Sequence, residues 1–374
     1  MSNTLTNLLP TIYEAVDVVS RELCGFIPAV TLDASSEEAA KDQTVLWPVA
    51  PANSTVNLTP AATGPDPSAQ TIGSDSMSIS KVKGAPFFWE GEEKNTARLE
   101  AIMRDQFAQA MRVIVNEVEA DLAALYVAAS RAYGTAGTTP FGSNLEESAN
   151  ALKILLDNGA PISDLQMVID TAAGAKLRTL GQLTKANEAD DTSLLRRGVL
   201  LDIHGFKIRE SAQVKSHTKG TGTGYEVNGA HSIGATSLVC KTGSGTIVAG
   251  DVLSLEADTK NKYVVTTGIA APGTAVLGAP GLRVAASNGD DITIGNNYTA
   301  NMAFARSAIR LMCRIPKVPE GGDSADEVEI VTDPVSGISF AISLYRQYKR
   351  VAYEVGLAWG VKAAKPEHMA ILLG

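Results

Sequence analysis

Residues 95–133 read NTARLEAIMRDQFAQAMRVIVNEVEADLAALYVAASRAY and contain neither proline nor glycine. Apolar residues recur at spacings of three and four along the whole stretch, as they do on one face of an α-helix. Asn95 is a suitable N-cap, and Gly134 is a natural stop. The pattern predicts a helix of roughly 57 Å, far longer than the average globular helix of about 11 to 12 residues. Such a helix serves as a beam against which other elements pack.

The composition is that of a globular protein of more than one domain. The chain has 374 residues, of which 45% are hydrophobic and 20% are charged, and its net charge is −9. An acidic chain lacks the positive surface that tight non-specific binding of DNA or RNA requires. The three cysteines, Cys24, Cys240 and Cys313, are far apart and form no Cys-x-x-Cys pair, which favours reduced thiols.

The N-terminal segment predicts an amphipathic helix over residues 4–24, with Pro10 in its first turn and Gly25 at its end. Its apolar stripe needs a partner surface, on this chain or on a neighbour. No basic start is followed by an apolar core, and no apolar run reaches about 18 residues. The sequence therefore predicts no signal peptide, no membrane contact and a cytosolic setting.

A long excursion from the body is expected before the beam helix. TVLWPV (44–49) and SMSISKV (76–82) have strand patterns, and the segment between them contains four prolines and many small polar residues. Loops of this length inside a folded domain are usually functional or disordered. The strand-like flanks favour an extended β-arm.

The rest of the chain alternates in character and predicts an α+β fold. Residues 145–214 mix short helices and strands, and residues 221–297 contain only short strand patterns with Gly, Asn and Asp turns, as in a small barrel or sandwich. These patterns are SLVCK (237–241), DVLSLEA (251–257), NKYVVTTG (261–268), LRVAA (282–286) and DITIG (291–295). A helix-containing pattern is predicted to resume at 299–316, followed by C-terminal strands. Residues 221–297 are therefore interpreted as a domain inserted into a host.

The glycine-rich run KGTGTGYEVNG (219–229) is the strongest candidate for a ligand site. It lacks GxxxxGK[ST], and no helix pattern follows it, which argues against a phosphate loop. His217 and His231 flank the run, but neither has metal-ligand spacing to another His or Cys. We interpret the run as a flexible hinge into the inserted domain, at Gly220, Gly222 and Gly224, with the return at Asn297.

Acidic pairs are the remaining candidates for catalysis. Glu92–Glu93, Asp190–Asp191 and Asp290–Asp291 lie in turns or helix lead-ins without basic or aromatic neighbours. No GxSxG motif occurs. The sequence predicts no catalytic residue, no cofactor and no metal.

Large side chains near the arm are candidates for contacts between subunits. Aromatic residues cluster where the arm leaves and rejoins the body, and core packing is the competing explanation for them. The interface candidates are Trp47, Val56, Leu58, Ile72, Phe87, Phe88 and Trp89.

The order of these parts resembles the major capsid proteins of tailed bacteriophages, in the branch of short-tailed-phage coat proteins with an inserted domain. The matching stretches are QTVLWPV (43–49), PFFWEGEEKNTARLEA (86–101), GVLLDIHGFKIRES (198–211) and GLAWGVKAAKPEHMAILLG (356–374). The chain and its insert are shorter than in coat proteins of that type, and no isopeptide cross-link is predicted.

The resemblance implies the Hong-Kong-type phage capsid fold. Its expected parts are an N-terminal arm (1–44), an extended β-loop (45–90), a peripheral domain with the spine helix (91–139), an axial domain (140–220), the inserted β-domain (221–297) and the remaining axial and peripheral strands (298–374).

The function implied is that of a structural protein that self-assembles into the icosahedral shell of a virion. By resemblance, its partners are further copies of itself, a scaffolding protein, a portal and non-specifically packaged double-stranded DNA, with assembly in the host bacterial cytoplasm. The alternative is a phage decoration, tail or receptor-binding protein. An enzyme with a nucleotide or metal site near residues 217–231 is the least favoured reading.

Overall fold

The long helix predicted over residues 95–133 is the element around which the larger hydrophobic core is built. A computed structural model describes residues 5–20, 25–49, 55, 60, 72–90, 99–184, 202–333 and 336–374. Within these residues the α-helices are α1 (Leu5–Ser20), α2 (Leu99–Ala123), α3 (Glu146–Asp157), α4 (Thr171–Thr179) and α5 (Gly181–Thr184).

The strands in the same residues are more numerous, so the predicted α+β class is confirmed. They are β1 (Thr31–Ala39), β2 (Thr44–Val49), β3 (Gly73–Ser78), β4 (Lys81–Glu90), β5 (Arg131–Tyr133), β6 (Leu165–Ile169), β7 (Phe206–Glu210), β8 (Ser216–His217), β9 (Thr223–Val227), β10 (Ser237–Ser244), β11 (Val252–Leu255), β12 (Asp258–Thr267), β13 (Thr274–Leu277), β14 (Asp291–Ile294), β15 (Tyr298–Ala305), β16 (Ile309–Pro316), β17 (Glu327–Thr332), β18 (Ser339–Gln347), β19 (Arg350–Ala363) and β20 (Met369–Leu373).

The predicted helix ends earlier than its apolar period indicates. The 25 residues of α2 span about 37 Å, and a 3-10 helix (Ala124–Ala128) follows. Ser130 then donates its backbone N–H to Met369 O at 3.0 Å, and β5 pairs in parallel with β20. The prediction of helix up to Tyr133 is wrong because this pairing with the distant C-terminal strand replaces the last helical turns. The predicted start at Asn95 lies outside the described residues.

The N-terminal segment packs on its own chain over the described residues. Ile12, Ala15 and Val16 of α1 are buried in the same core cluster as Phe107 and Met111 of α2. The apolar stripe of α1 thus finds its partner surface on α2. Strand β1 then pairs in parallel with β16.

A buried carboxylate of α2 holds the chain that follows α1. Glu119 is 1% exposed and accepts hydrogen bonds from the backbone N–H groups of Phe26 at 3.0 Å and Ile27 at 2.7 Å. It also accepts a bond from Ser211 Oγ at 3.0 Å. Burial raises the pKa of this carboxyl group above its usual value, against the opposing effect of these hydrogen bonds.

The smaller of two large sheets lies against α2. Its order is β1-β16-β19-β18-β17, and β4 pairs with β19 along ten residues. Phe87, Phe107 and Tyr353 pack their rings together at centroid distances of 4.9 to 5.4 Å, joining β4, α2 and β19. Trp359 adds a hydrogen bond from its Nε1 to Asp121 Oδ2 at 2.9 Å. Helix α2 is therefore fixed to one face of this sheet.

Residues 223–294 form a closed barrel. The strand order β11-β14-β9-β10-β13-β12 returns on itself because β12 also pairs with β11. The barrel encloses its own core of residues such as Tyr225, Leu253 and Tyr263, separate from the main cluster. On the outside, β12 pairs with β5, which continues the sheet into β20, β15, β6 and β7. A second core, including Phe141, Leu155 and Phe206, lies between those strands and helices α3 and α4.

Two elements around the barrel differ from their predictions. Residues 299–316, predicted to contain a helix, form β15 and β16 with a three-residue 3-10 helix between them. Both strands are buried on both faces, so their apolar runs mimic a buried helix. LRVAA (282–286) is not a strand, although His231 and Ala286 form an isolated bridge.

Candidate assembly surfaces

The predicted β-arm begins as a two-stranded hairpin rooted on the smaller sheet. Strands β2 and β3 pair from Thr44↔Ser78 to Val49↔Gly73. At the root, the buried Met77 packs with Ala39, Ile79, Met312 and Ala358, and Val45 and Trp47 pack against this group. The cluster lies on the sheet face opposite to α2, because β16 alternates and its odd-numbered residues enter the main core. The arm therefore leaves the body from a fixed base.

Trp47 lies beside two cationic side chains of the body, Arg310 and Lys362, which are cross-strand partners on β16 and β19. The guanidinium carbon of Arg310 is 4.3 Å from the ring centroid, and Lys362 Nζ is 5.5 Å from it. Lys362 also forms an ion pair with Asp75, the cross-strand partner of Trp47. The hydrogen bond from Lys362 lowers the pKa of the Asp75 carboxyl group. The predicted anchor thus makes its contacts within its own chain, at the arm root.

Beyond the root, the hairpin exposes apolar side chains. Leu46 is 67% exposed, Ile72 is 71% exposed, and Val49 is also exposed. Leu46 points away from the body, because it alternates with Val45 and Trp47. Val56 and Leu58, which were also predicted interface residues, lie outside the described residues.

The aromatic triplet on β4 divides between two faces. Phe87 and Trp89 pack against the main core, and Phe88 faces outward, half exposed, with Arg350 5.3 Å from its ring centroid. The core-packing explanation therefore applies to Phe87 and Trp89. Of the three aromatic residues, Phe88 is the one with a half-exposed ring.

The glycine run occupies a close-packed joint. Gly220 donates its N–H to Asp251 Oδ1 at 3.0 Å, and a Cβ atom at Gly220 would lie 2.2 Å from Thr246 O. A Cβ atom at Gly222 would lie 2.7 Å from Ile294 Cδ1. At Gly224 the reason is conformational, since its φ is +65° and the space around it is open.

The return strand closes the same joint. Asn297 Oδ1 accepts the backbone N–H of Lys219 at 2.9 Å, and Asn296 Oδ1 accepts a bond from Lys219 Nζ at 3.2 Å. Entry to and exit from the barrel are therefore held side by side. The glycines serve close approach and a left-handed turn, so the flexible hinge is replaced by a fixed joint.

A buried polar network, not predicted from the sequence, connects this joint to the 3-10 helix that follows α2. His217 Nε2 bonds to Asp251 Oδ1 at 2.8 Å, and His217 Nδ1 bonds to the hydroxyl of Tyr126 at 2.9 Å. Tyr126 belongs to the 3-10 helix that extends α2. Tyr298 Oη donates to Gly250 O at 2.6 Å, and burial raises the pKa of Tyr298. No spacing in the sequence indicates the network, because its members come from the 3-10 helix after α2, from β8, from β15 and from the turn before β11.

The candidate ligand residues do not form a metal or nucleotide site in the described part of the chain. His231 pairs with Ala286 and accepts the N–H of Val239 through Nε2 at 3.4 Å, whereas His217 bonds to Asp251 and Tyr126. No group of three His, Cys, Asp or Glu suited to a metal occurs among the described residues.

A shallow cavity of about 510 Å³ borders residues 219–225 and 291–294. The glycine run beside it leads into strand β9, so the strand-to-helix geometry of a phosphate loop is absent there.

Of the three acidic pairs, the structure describes Asp290–Asp291, and this pair belongs to no group of residues suited to a metal. Asp290 accepts the N–H of Ser287 through Oδ2 at 2.7 Å and so closes a turn beside Asp291. Glu92–Glu93 and Asp190–Asp191 lie outside the described residues. No helix in the described part of the chain is long and apolar enough to span a membrane.

Comparisons with known proteins find likeness at the level of structure. No protein-family model matches the chain, and no curated protein matches it. A structure from Mycobacterium phage Che8 is 17% identical, with 89% of this chain and 85% of that chain covered, at a TM-score of 0.44. The capsid of Cyanophage P-SCSP1u is 12% identical, with 92% and 86% covered, at a TM-score of 0.45.

A virus-like particle from Pyrococcus furiosus is 10% identical, with 97% of this chain and 98% of that chain covered, at a TM-score of 0.45. All three TM-scores lie below 0.5.

Proposed function

We propose that this chain is the major capsid protein of a tailed bacteriophage and assembles with copies of itself into an icosahedral shell. The observation that carries the proposal is the arm: a hairpin fixed to the body at Trp47 that exposes Leu46 and Ile72 to solvent. Exposed apolar side chains that cluster on a projecting element mark a surface for another protein. A second copy of the chain would supply that surface.

A fixed arm root reduces the cost of assembly. An arm free to rotate at its base would lose conformational entropy on docking, whereas a rooted hairpin has lost part of it already. The aromatic and ionic contacts at Trp47 direct the arm before any neighbour is present. Burying Leu46 and Ile72 against a neighbour would then contribute roughly 1.5 to 3 kcal/mol for each fully buried side chain.

The body has the properties of a structural unit. Three elements surround the main core: α2, the smaller sheet, and the sheet of β5, β20, β15, β6 and β7. Each could present a surface to a neighbouring copy in a different direction. The barrel of residues 223–294 serves as an inserted domain that is held at the joint of Gly220 and Asn297. In this proposal the protein performs no catalytic step, and its role is to pack.

The remaining partners follow from the proposed role. The shell would enclose double-stranded DNA without sequence preference, and a net charge of −9 suits a container that must release its contents. A scaffolding protein and a portal would act during assembly in the bacterial cytoplasm. The finished location would be the capsid of the virion.

Removal of the arm beyond its root tests the proposal. A variant that lacks residues 50–72, with a short glycine-serine link between β2 and β3, loses the arm beyond β2 together with Ile72 and retains Trp47 and the root cluster. We expect it to remain folded by circular dichroism but to form no shells in negative-stain microscopy and sedimentation. Full-length protein under the same conditions is the control and should form shells or capsomers. Normal shells from the deletion would contradict the assigned role of the arm.

A further inference from the structure

Strand β17 is the last strand of the smaller sheet. On one side it pairs with β18, from Glu327↔Leu344 to Thr332↔Ser339. Within the described part of the chain, no strand pairs with its other side. The backbone groups along that side are therefore arranged as in the open edge of a sheet, which can accept an added strand.

The side chains of β17 alternate in a way that would select such a strand. Val328 and Ile330 are each 47% exposed on the outward face. Glu327 and Glu329 alternate with them on the opposite face, together with the buried Val331. The strand contains no proline or lysine, and its charged residues, Glu327 and Glu329, are both acidic. Charged side chains discourage pairing at a sheet edge, so an added strand would need positive charge to match them.

The charge around this edge has one sign. Residues 318–333 contain six acidic residues and no lysine or arginine. Arg346 of β18 contacts two of them, Glu327 at 3.2 Å and Asp326 at 3.8 Å, which leaves the segment negative. Two such edges would repel each other, and nucleic acid would be repelled as well. The complementary partner is basic.

We propose that the open side of β17 binds an extended basic segment of a second protein as an added strand. Apolar side chains of the segment would lie beside Val328 and Ile330, and its Lys or Arg side chains would lie beside Glu327 and Glu329. Backbone hydrogen bonds supply the affinity, and this alternation supplies the selectivity. The proposal goes beyond shell formation and does not depend on it.

A labelled octapeptide Val-Lys-Thr-Lys-Val-Lys-Thr-Lys, blocked at both ends, is the probe. Its binding to the full-length protein is measured by fluorescence anisotropy. We expect saturable binding that weakens as salt is raised. A peptide of the same composition in the order Lys-Lys-Val-Thr-Thr-Val-Lys-Lys carries the same charge without the alternation. Equal binding of the two peptides, or no binding of the first, would overturn the proposal.

Substitutions locate the site. The double variant Val328→Lys/Ile330→Lys places positive charge on the edge and should weaken binding of the alternating peptide about tenfold, from the loss of two or three cross-strand pairs. The matched control is Val113→Lys, which changes an exposed valine on α2 and should bind normally. Equal affinity in the double variant and the control would place binding elsewhere and overturn the proposal.

Hydrogen exchange on the unsubstituted protein gives a second readout. We expect the alternating peptide to slow exchange of amides within residues 327–332, because an added strand would engage them. Unchanged exchange there with the peptide bound would contradict strand addition, whether or not the double variant folds.

Discussion

The guanidinium carbon of Arg310 lies 4.3 Å from the centroid of the Trp47 ring, with Lys362 at 5.5 Å from the same ring. This contact connects the hairpin to β16 and β19, beside the apolar cluster of Met77 at the arm root. The direction of the arm is therefore set by a few side chains at its root. Substitutions at the root should therefore change the orientation of the arm and leave the body folded.

Replacing Trp47 should loosen the arm without unfolding the body. Trp47→Ala removes the cation–π contact, worth about 0.5 to 1 kcal/mol at a partly exposed site, together with some apolar burial. We expect faster cleavage within residues 44–78 in limited proteolysis, and a small decrease in the free energy of unfolding. Trp47→Phe keeps a ring face and should give intermediate cleavage. Cleavage equal to that of the unsubstituted protein in Trp47→Ala would mean that the root is held by other contacts.

Polar substitution at the exposed arm residues should abolish assembly and leave the monomer intact. Leu46→Asp and Ile72→Asp change side chains that contact solvent in the single chain, so the free energy of unfolding should change by no more than about 0.5 kcal/mol. Shell formation, measured by sedimentation velocity, should be lost.

Ile233→Asp is the matched control, since Ile233 of the barrel is 67% exposed, as is Leu46. Shells from Ile233→Asp but not from Leu46→Asp are expected. Shells from Leu46→Asp but not from Ile233→Asp would mean that the barrel, and not the arm, makes the assembly contact.

Stability should depend on the protonation of Glu119. The pKa of this carboxyl group is raised in the folded chain from a usual value of 4.5, so its charged form is disfavoured there relative to the unfolded chain. Its contribution to stability is therefore greatest below pH 4.5 and is lost as the pH rises through the folded-state pKa. Glu119→Gln removes this titration, and chemical denaturation at several pH values should show a flatter profile above pH 4.5. An unchanged profile would show that Glu119 does not titrate there.

A substitution at Gly250 tests the network of His217, Asp251 and Tyr126, which joins the barrel to the 3-10 helix after α2. Its φ is +94°, and a Cβ atom there would lie 2.9 Å from the His217 ring. Gly250→Ala should destabilise through backbone strain of about 1 to 2 kcal/mol and overpacking of about 1 to 3 kcal/mol. Gly229→Ala has a similar φ of +82° in open space and should show the strain alone. Equal losses in thermal unfolding would show that the His217 contact carries no stability.

The sequence predicts those elements that local pattern determines. TVLWPV is β2 with the predicted bounds, and the turn-separated patterns of SLVCK and DITIG lie in β10 and β14. The end of α2 and the nature of residues 299–316 depend on pairing with β20 and β19, more than 40 residues away. Period alone could not distinguish these buried strands from helix.

The candidate assembly residues also divide into those that the sequence indicates and those that it does not. Exposure of Leu46 and Ile72 could be expected from a polar, proline-rich surrounding. The role of Trp47 could not, because Arg310 and Lys362 are remote in sequence and no local pattern connects them to the arm. The glycines of the joint were identified as special, but their reason, close packing against Thr246 and Ile294, depends on the closed barrel.

A cryo-microscopy map of particles assembled from the purified protein tests the central claim most directly. We predict a closed icosahedral shell in which residues 44–78 of each copy lie on a neighbouring copy, with Leu46 and Ile72 buried at that contact. Particles in which this hairpin contacts only its own chain, or a protein that stays monomeric at high concentration, would contradict the claim.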